Sequence, residues 1–190
     1  MSARKMKEIN SNIIGKLIQN ERFEDWWESS QIEIPFFDNQ KIKITFIDFI
    51  PEEDTEFINE ADEALKLFFK KSESDKLEIS NLVYKNCMDF LNAVGYDEDD
   101  KKLWEIKDQN EIWKFVQPNE ILVTRRPYKD KDIYVSINCE CEWEQEHGLQ
   151  LVFRKGKQIT RVSQIDGHLT EADAYDEPDS EDELLSKFKE

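Results

Sequence analysis

The hydrophobic pattern changes period several times along the chain. Over residues 4–20, Ile9, Ile13, Ile14, Leu17 and Ile18 recur at helical spacing and predict a short N-terminal amphipathic helix. The stretch QIEIPFFDNQKIKITFIDF then alternates. Ile32 and Ile34 on one side of Asp38-Asn39, with Ile42, Ile44 and Phe46 on the other, predict a β-hairpin. Pro35 lacks an N–H for a strand ladder, so it ends the first strand or holds it at an edge. From 54 to 71 the period returns to 3.6, with Phe57, Ile58, Ala61, Ala64, Leu65 and Phe68 on one stripe. Ser72–Asp75 reads as a linker. A second helix over 76–94, opened by a capping box at Asp75–Glu78, carries Leu77, Leu82, Val83, Cys87, Phe90, Leu91 and Val94 before Gly95.

The second half is dominated by strands. Asp108–Glu111 caps a short helix through Phe115, which Pro118 ends. ILVTRR, DIYVSINCECEW, GLQLVFRK and QITRVSQI follow, separated by turn residues, and predict a four-strand meander. Facing Trp143 with Leu149 sets Cys141 opposite Leu151 and Cys139 opposite Phe153, all on one face. Gly156-Lys157 suits a type II′ turn, and Arg125 is expected opposite Asp132. Helices and strands are segregated, without βαβ alternation. The expected fold is therefore α+β: an antiparallel β-meander packed against two or three helices, with an N-terminal β-hairpin. The expected organisation is a helical extension over 1–22, a single α+β domain over 23–166 and an acidic tail over 167–190.

Composition sharpens this picture. At 190 residues with 12 Phe and 5 Trp, the chain can bury a core and is too aromatic to be disordered. Its 43 acids against 26 bases give a net charge of -17, which repels nucleic acid and anionic membranes and attracts a basic protein partner. Residues 167–190 concentrate this charge and read as an exposed arm, with Leu184, Leu185 and Phe188 able to form one helical turn. Three cysteines make no disulfide framework, and no signal-like or membrane-length apolar run occurs. These features point to the cytoplasm.

Candidate chemistry is sparse. A glycine-rich phosphate loop, a G-x-S-x-G elbow and an H-E-x-x-H pair are all missing, and only His147 and His168 could serve as histidine bases. The acidic run Asp97–Asp100 lacks the glycine and bidentate glutamate of a calcium loop. Cys139 and Cys141 share a strand face opposite apolar residues and read as small core hydrophobes, not metal ligands. Glu140, Glu142 and Glu144 stand on the other face, with Arg154 and Arg161 as expected cross-strand neighbours. With His147, they gather acids and a histidine at one hairpin end. Trp26 and Trp27 are adjacent; on a helix they would point about 100° apart, so one packs and the other is free for contact. The candidate binding residues are Trp27, Glu140, Glu142, Glu144 and His147. The sequence calls for no cofactor and names no catalytic residue.

The strings LVYKNCMDFLNAVGYDE, LWEIKDQNEIWKFVQPNEILVTRR and KDIYVSINCECEWEQEHGLQLVFRKGKQITRVSQIDGHLT resemble a family of uncharacterised bacterial proteins built on a domain of unknown function. The likeness runs from about Phe23 to Pro178, and WEQEHGLQLVFR is its most specific run. It implies a small α+β bacterial cytoplasmic protein and carries no catalytic motif with it. By analogy it suggests an immunity-like or adaptor role. Three readings follow in order: a non-enzymatic acidic protein-binding domain, an enzyme of unrecognised type using Glu142, Glu144 and His147, and a structural domain whose charge serves solubility.

Overall fold

The computed structural model describes residues 7–187. One sheet of eight strands organises it: β1 (Glu8–Ser11), β2 (Gly15–Gln19), β3 (Trp27–Ile34), β4 (Gln40–Phe46), β5 (Val116–Arg125), β6 (Ile133–Cys141), β7 (Leu149–Arg154) and β8 (Gln158–Ser163), in chain order across the sheet. All neighbours are antiparallel except β4 and β5, which are parallel. A parallel pair needs a long crossover. Helices α1 (Phe57–Phe68), α2 (Glu73–Glu78), α3 (Ser80–Val94) and α4 (Lys101–Trp104) supply it. The fold is α+β with an N-terminal hairpin. The 31–49 hairpin joins the sheet as β3 and β4, between β2 and β5.

The expected N-terminal helix is replaced over residues 8–19 by the β1–β2 hairpin, which places Ile9 opposite Leu17. Turn chemistry decides between the two periods. Ser11 Oγ accepts from the amides of Ile13 and Ile14 at 3.1 and 3.0 Å, a local bond that competes with helix. Asp62 of α1 accepts from the Asn12 amide at 2.8 Å and from Ser11 Oγ, tying the turn to the helix layer. Residues 4–6 of the expected helix and Phe188 of the expected tail turn lie outside the described residues.

α1 and α3 take their stripes from Phe57, Ala61, Leu65 and Phe68 and from Val83, Cys87 and Leu91, all buried. Ser72 belongs to the start of α2: its amide donates to Asp75 Oδ2 at 2.8 Å, so the capping box sits three residues earlier than expected. A 3-10 helix, Gln109–Phe115, leads into β5, with Asp108 accepting from the Asn110 amide at 3.0 Å. Pro118 lies within β5, not at a helix end. It sits at a register shift, where its missing N–H costs the ladder least.

The helices cover one face of the sheet. There Phe36, Phe68 and Phe153 meet with ring centroids 5.5–5.9 Å apart, close enough to add to their burial energy. The other face carries a small cluster of Tyr134, Val152 and Leu169. The β6–β7 register differs from expectation: Cys139 pairs with Leu149, Ile137 with Leu151 and Val135 with Phe153. The faces survive this offset because it preserves parity. Its cause is a longer loop, residues 142–148. The β7–β8 turn has positive φ at both Lys155 (51°) and Gly156 (63°), the I′ pattern and not II′. Arg125 pairs with Ile133 across the strands and sends its guanidinium to Asp54 and Glu60.

The acidic tail is not an exposed arm. It forms α5 (Glu171–Ala174), a 3-10 turn and α6 (Glu183–Ser186), and Thr170, Ala172, Asp182 and Leu185 are buried. Among the described residues no helix is long and apolar enough to cross a membrane.

Candidate functional site

A groove of about 670 Å³ opens where the start of β5, the end of β6 and the loop 142–148 meet. Two irregularities shape it. In β5, Pro118 pairs with Cys139 and Glu120 with Asn138, so Asn119 is an extra residue in a bulge. Such bulges bend a strand and re-aim its side chains. The loop 142–148 is folded on its own glutamate: the Glu144 carboxylate accepts from the amides of Glu146 and His147 at 3.1 and 3.2 Å, and its carbonyl accepts from Gly148 N at 3.0 Å. Trp143 anchors the loop from below, buried and donating from Nε1 to Asn86 Oδ1 of α3 at 3.0 Å.

The lining is acidic. Glu120, Glu140, Glu142, Glu144 and Glu146 contribute carboxylates against one lysine, Lys114, with His147 at the rim. Asn138, buried on the floor, donates to Glu120 Oε1 at 2.9 Å. Glu142 forms an ion pair with Lys102 of α4. Glu140 and Glu146 form no ion pair among the described residues. His147 Nδ1 lies 3.5 Å from Glu144 Oε1 and remains half exposed. A second groove of about 450 Å³ continues along the same sheet face, sharing Asn138 and Ile165 and adding Asp48, Thr124, Ser136 and Gln150.

The cysteines point the other way, into the core, and are free thiols. Burial raises the pKa of all three, to about 12 for Cys87 and about 11 for Cys141. Thiols so protonated are poor nucleophiles and poor metal ligands at neutral pH.

Four of the five residues singled out in the sequence therefore meet in one groove: Glu140, Glu142, Glu144 and His147. Trp27 is not part of it and is not a surface anchor. It opens β3, is 2% exposed, and donates from Nε1 to the Phe49 carbonyl at 3.0 Å. The helical offset assumed for the tryptophan pair does not apply to a strand, where neighbours face opposite ways. Trp26 is the half-exposed member, with its ring 5.0 Å from Phe23. Arg154 and Arg161 do not offset the strand glutamates either. Arg154 binds Asp132, and Arg161 binds Asp166 and Glu171. Sequence reasoning missed Glu120, Asn138 and Asn119. The signal it had was polar residues interrupting two apolar strands at what became paired positions.

The family model described as Domain of unknown function (DUF6985) matches residues 13–169, which include the whole groove. No curated protein and no solved structure matches the chain.

Proposed function

The chain belongs to the DUF6985 family of domains of unknown function, and from its acidic groove we propose that it is a non-enzymatic protein-binding domain, immunity-like or adaptor-like, that takes a basic segment of a protein partner. The carrying observation is the groove lining: five glutamates against one lysine, with Glu140 and Glu146 lacking ion pairs among the described residues. Carboxylates left without internal cations are poised for lysine or arginine, whose guanidinium forms bidentate pairs with them. A field of this sign speeds encounter with a basic partner and turns away nucleic acid and anionic membranes. Three unpaired buried thiols suit a reducing bacterial cytoplasm.

The test uses the full chain and its Glu140→Gln/Glu142→Gln/Glu146→Gln variant as baits in a lysate of the native host, with a labelled arginine-rich peptide as a defined probe. Capture is expected at about 0.05 M salt and lost at about 0.5 M, where the Debye length shrinks to a few Å. Equal capture by the triple variant, or none by either bait, overturns the reading. An enzymatic reading has one observation of its own, the His147–Glu144 pair on the groove rim. It requires His147→Ala to abolish turnover of a substrate held there, whereas the binding reading leaves capture by that variant unchanged.

A further inference from the structure

Arg126 follows β5 and is 1% exposed, yet it is a permanent cation. Its guanidinium meets two bidentate carboxylates. Asp173 accepts from Nε at 2.9 Å and Nη2 at 2.8 Å; Asp179 accepts from Nη1 at 2.8 Å and Nη2 at 2.7 Å. Thr170 Oγ1 at 3.3 Å and Asp130 at 2.9 Å complete the set. Lys129 adds contacts to Asp173 at 3.3 Å and Asp179 at 3.1 Å, and reaches the Glu177 carbonyl at 3.4 Å. Arg161, 4% exposed, holds Glu171 at 2.7 Å and the Thr170 carbonyl at 3.4 Å. Its Nε is buried without a partner.

Arg126, Lys129 and Arg161 thus all meet carboxylates of residues 170–179, with Asp130 also on Arg126 and Asp166 also on Arg161 at 2.6 Å. Arg126, Lys129 and Arg161 lie inside the family match, and the acids that fill them, apart from Asp130 and Asp166, lie beyond its last residue, Leu169. The segment adds little apolar attachment: only Ala172 and Leu185 of its described residues are buried hydrophobics. Gln164, Asp166, Gly167 and His168, which lead into it, are exposed. A segment held mainly by polar links belongs to the low-stability end of a fold and opens before the rest.

We propose that Arg126, Lys129 and Arg161 form a receptor site for an acidic peptide segment, occupied in cis by residues 170–187 and able to take a carboxylate-rich segment of another chain when that strap opens. The fork of Arg126 sets the preference for paired carboxylates. The hydrogen bonds from Arg126 hold the Asp179 carboxyl below its ordinary pKa, and they do the same for Asp173 against the opposing effect of burial, so both ligands stay charged. This site is independent of the acidic groove and takes a ligand of opposite sign, so either reading can fail without the other.

The probe is a fluorescent peptide with the sequence of residues 168–187, and the control has every Asp and Glu of that peptide replaced by Asn and Gln. Both are titrated into the full-length protein and into full-length Asp173→Asn/Asp179→Asn, whose strap is weakened. A site closed in cis more than nine-tenths of the time binds a trans ligand about ten-fold more weakly than an open one. The probe is therefore expected to bind the double variant about ten-fold more tightly than the unmodified chain, with the control silent. Adding Lys129→Ala to the double variant should cost the probe several-fold in affinity. Hydrogen exchange of amides 170–186 reports opening in both proteins. If those amides exchange only on global unfolding, or if they open in the double variant and the probe still does not bind, the proposal is overturned. Should the double variant fail to fold, Asp179→Asn alone carries the same comparison.

Discussion

Replacing Gly156 with alanine tests how α1 sits on the β7–β8 turn. Gly156 is buried at φ +63°, and a Cβ there would stand 2.0 Å from the Ala64 carbonyl oxygen, 2.8 Å from its carbon and 3.1 Å from Phe68 Cβ. The obstruction is helix backbone, which cannot swing aside. Two costs add. An L-residue in the left-handed region costs about 1–2 kcal/mol. Forcing a methyl into a packed contact costs about 1–3 kcal/mol more. The sum, about 2–5 kcal/mol, is a large part of the roughly 5–15 kcal/mol that holds a domain together. At roughly 2–4 °C per kcal/mol for a chain of this size, the midpoint should fall by about 4–20 °C. Gly167→Ala isolates the first cost, because Gly167 has φ +79° and nothing within 4 Å of the added Cβ. That control should lose only about 1–2 kcal/mol. Urea and thermal unfolding of the two variants give the comparison. Equal losses would show that the turn and α1 are not in the contact described and would refute the reasoning.

Trp27→Ala should cost about 3–5 kcal/mol, as for a buried aromatic, while Trp26→Ala costs about 1 kcal/mol or less; urea midpoints showing the reverse order would reject the placement of the pair. Tyr128 is 96% exposed at φ +66°, and the Lys129 amide donates to the Pro127 carbonyl at 2.8 Å across it, so its backbone is strained with no packing in return. Tyr128→Gly should relieve about 1–3 kcal/mol of strain and lose about 0.5–1 kcal/mol to glycine entropy, raising the melting temperature slightly; a lower one contradicts this. Asp173 and Asp179 have folded pKa values below the ordinary 3.8, through burial outweighed by Arg126 for the first and through Arg126 directly for the second. Their stabilisation is present above pH 3.8 and lost as pH falls through the depressed values, so the tail should detach below that point. Glu171 works the other way, since burial raises its pKa above 4.5 despite Arg161 and favours its protonated form in the fold. Hydrogen exchange of amides 170–186, followed downward from about pH 5 into the acid range, reads the balance, and protection that falls only together with global acid unfolding would count against the strap being held by these carboxylates.

The parts of the fold that were legible in the sequence are those in which one periodicity has a single structural solution. The stripe Phe57–Phe68 needs a helix, and the alternation through Ile42, Ile44 and Phe46 needs a strand. Ile9, Ile13, Ile14, Leu17 and Ile18 do not decide between the periods by their spacing; the Ser11 turn does, and it is held in part by Asp62, 51 residues from Ser11. The β6–β7 faces were readable from alternation, but the register was not. Two registers of equal parity bury the same side chains, and the choice rests on how Glu144 folds the loop. Four site residues were legible because one hairpin end carries them. Glu120 and Asn138 reach the site only through cross-strand pairing, which local spacing does not encode. The tail was misread because its carboxylates looked solvated, and their buried arginine partner lies more than 40 residues upstream.

The surplus of negative charge therefore divides into two populations with different physics. In the tail, Asp173, Asp179 and Glu171 face arginines that are nearly dry, and such pairs are weakly screened by salt. In the groove, Glu140 and Glu146 face solvent without a cation among the described residues, and their field is what a basic partner would meet. Salt separates the two. At about 0.5 M, where the Debye length is only a few Å, capture of a basic segment should vanish while amides 170–186 keep their protection. Loss of both together would mean that the tail carboxylates are held by the same long-range field as the groove, and that the buried arginine forks add nothing of their own.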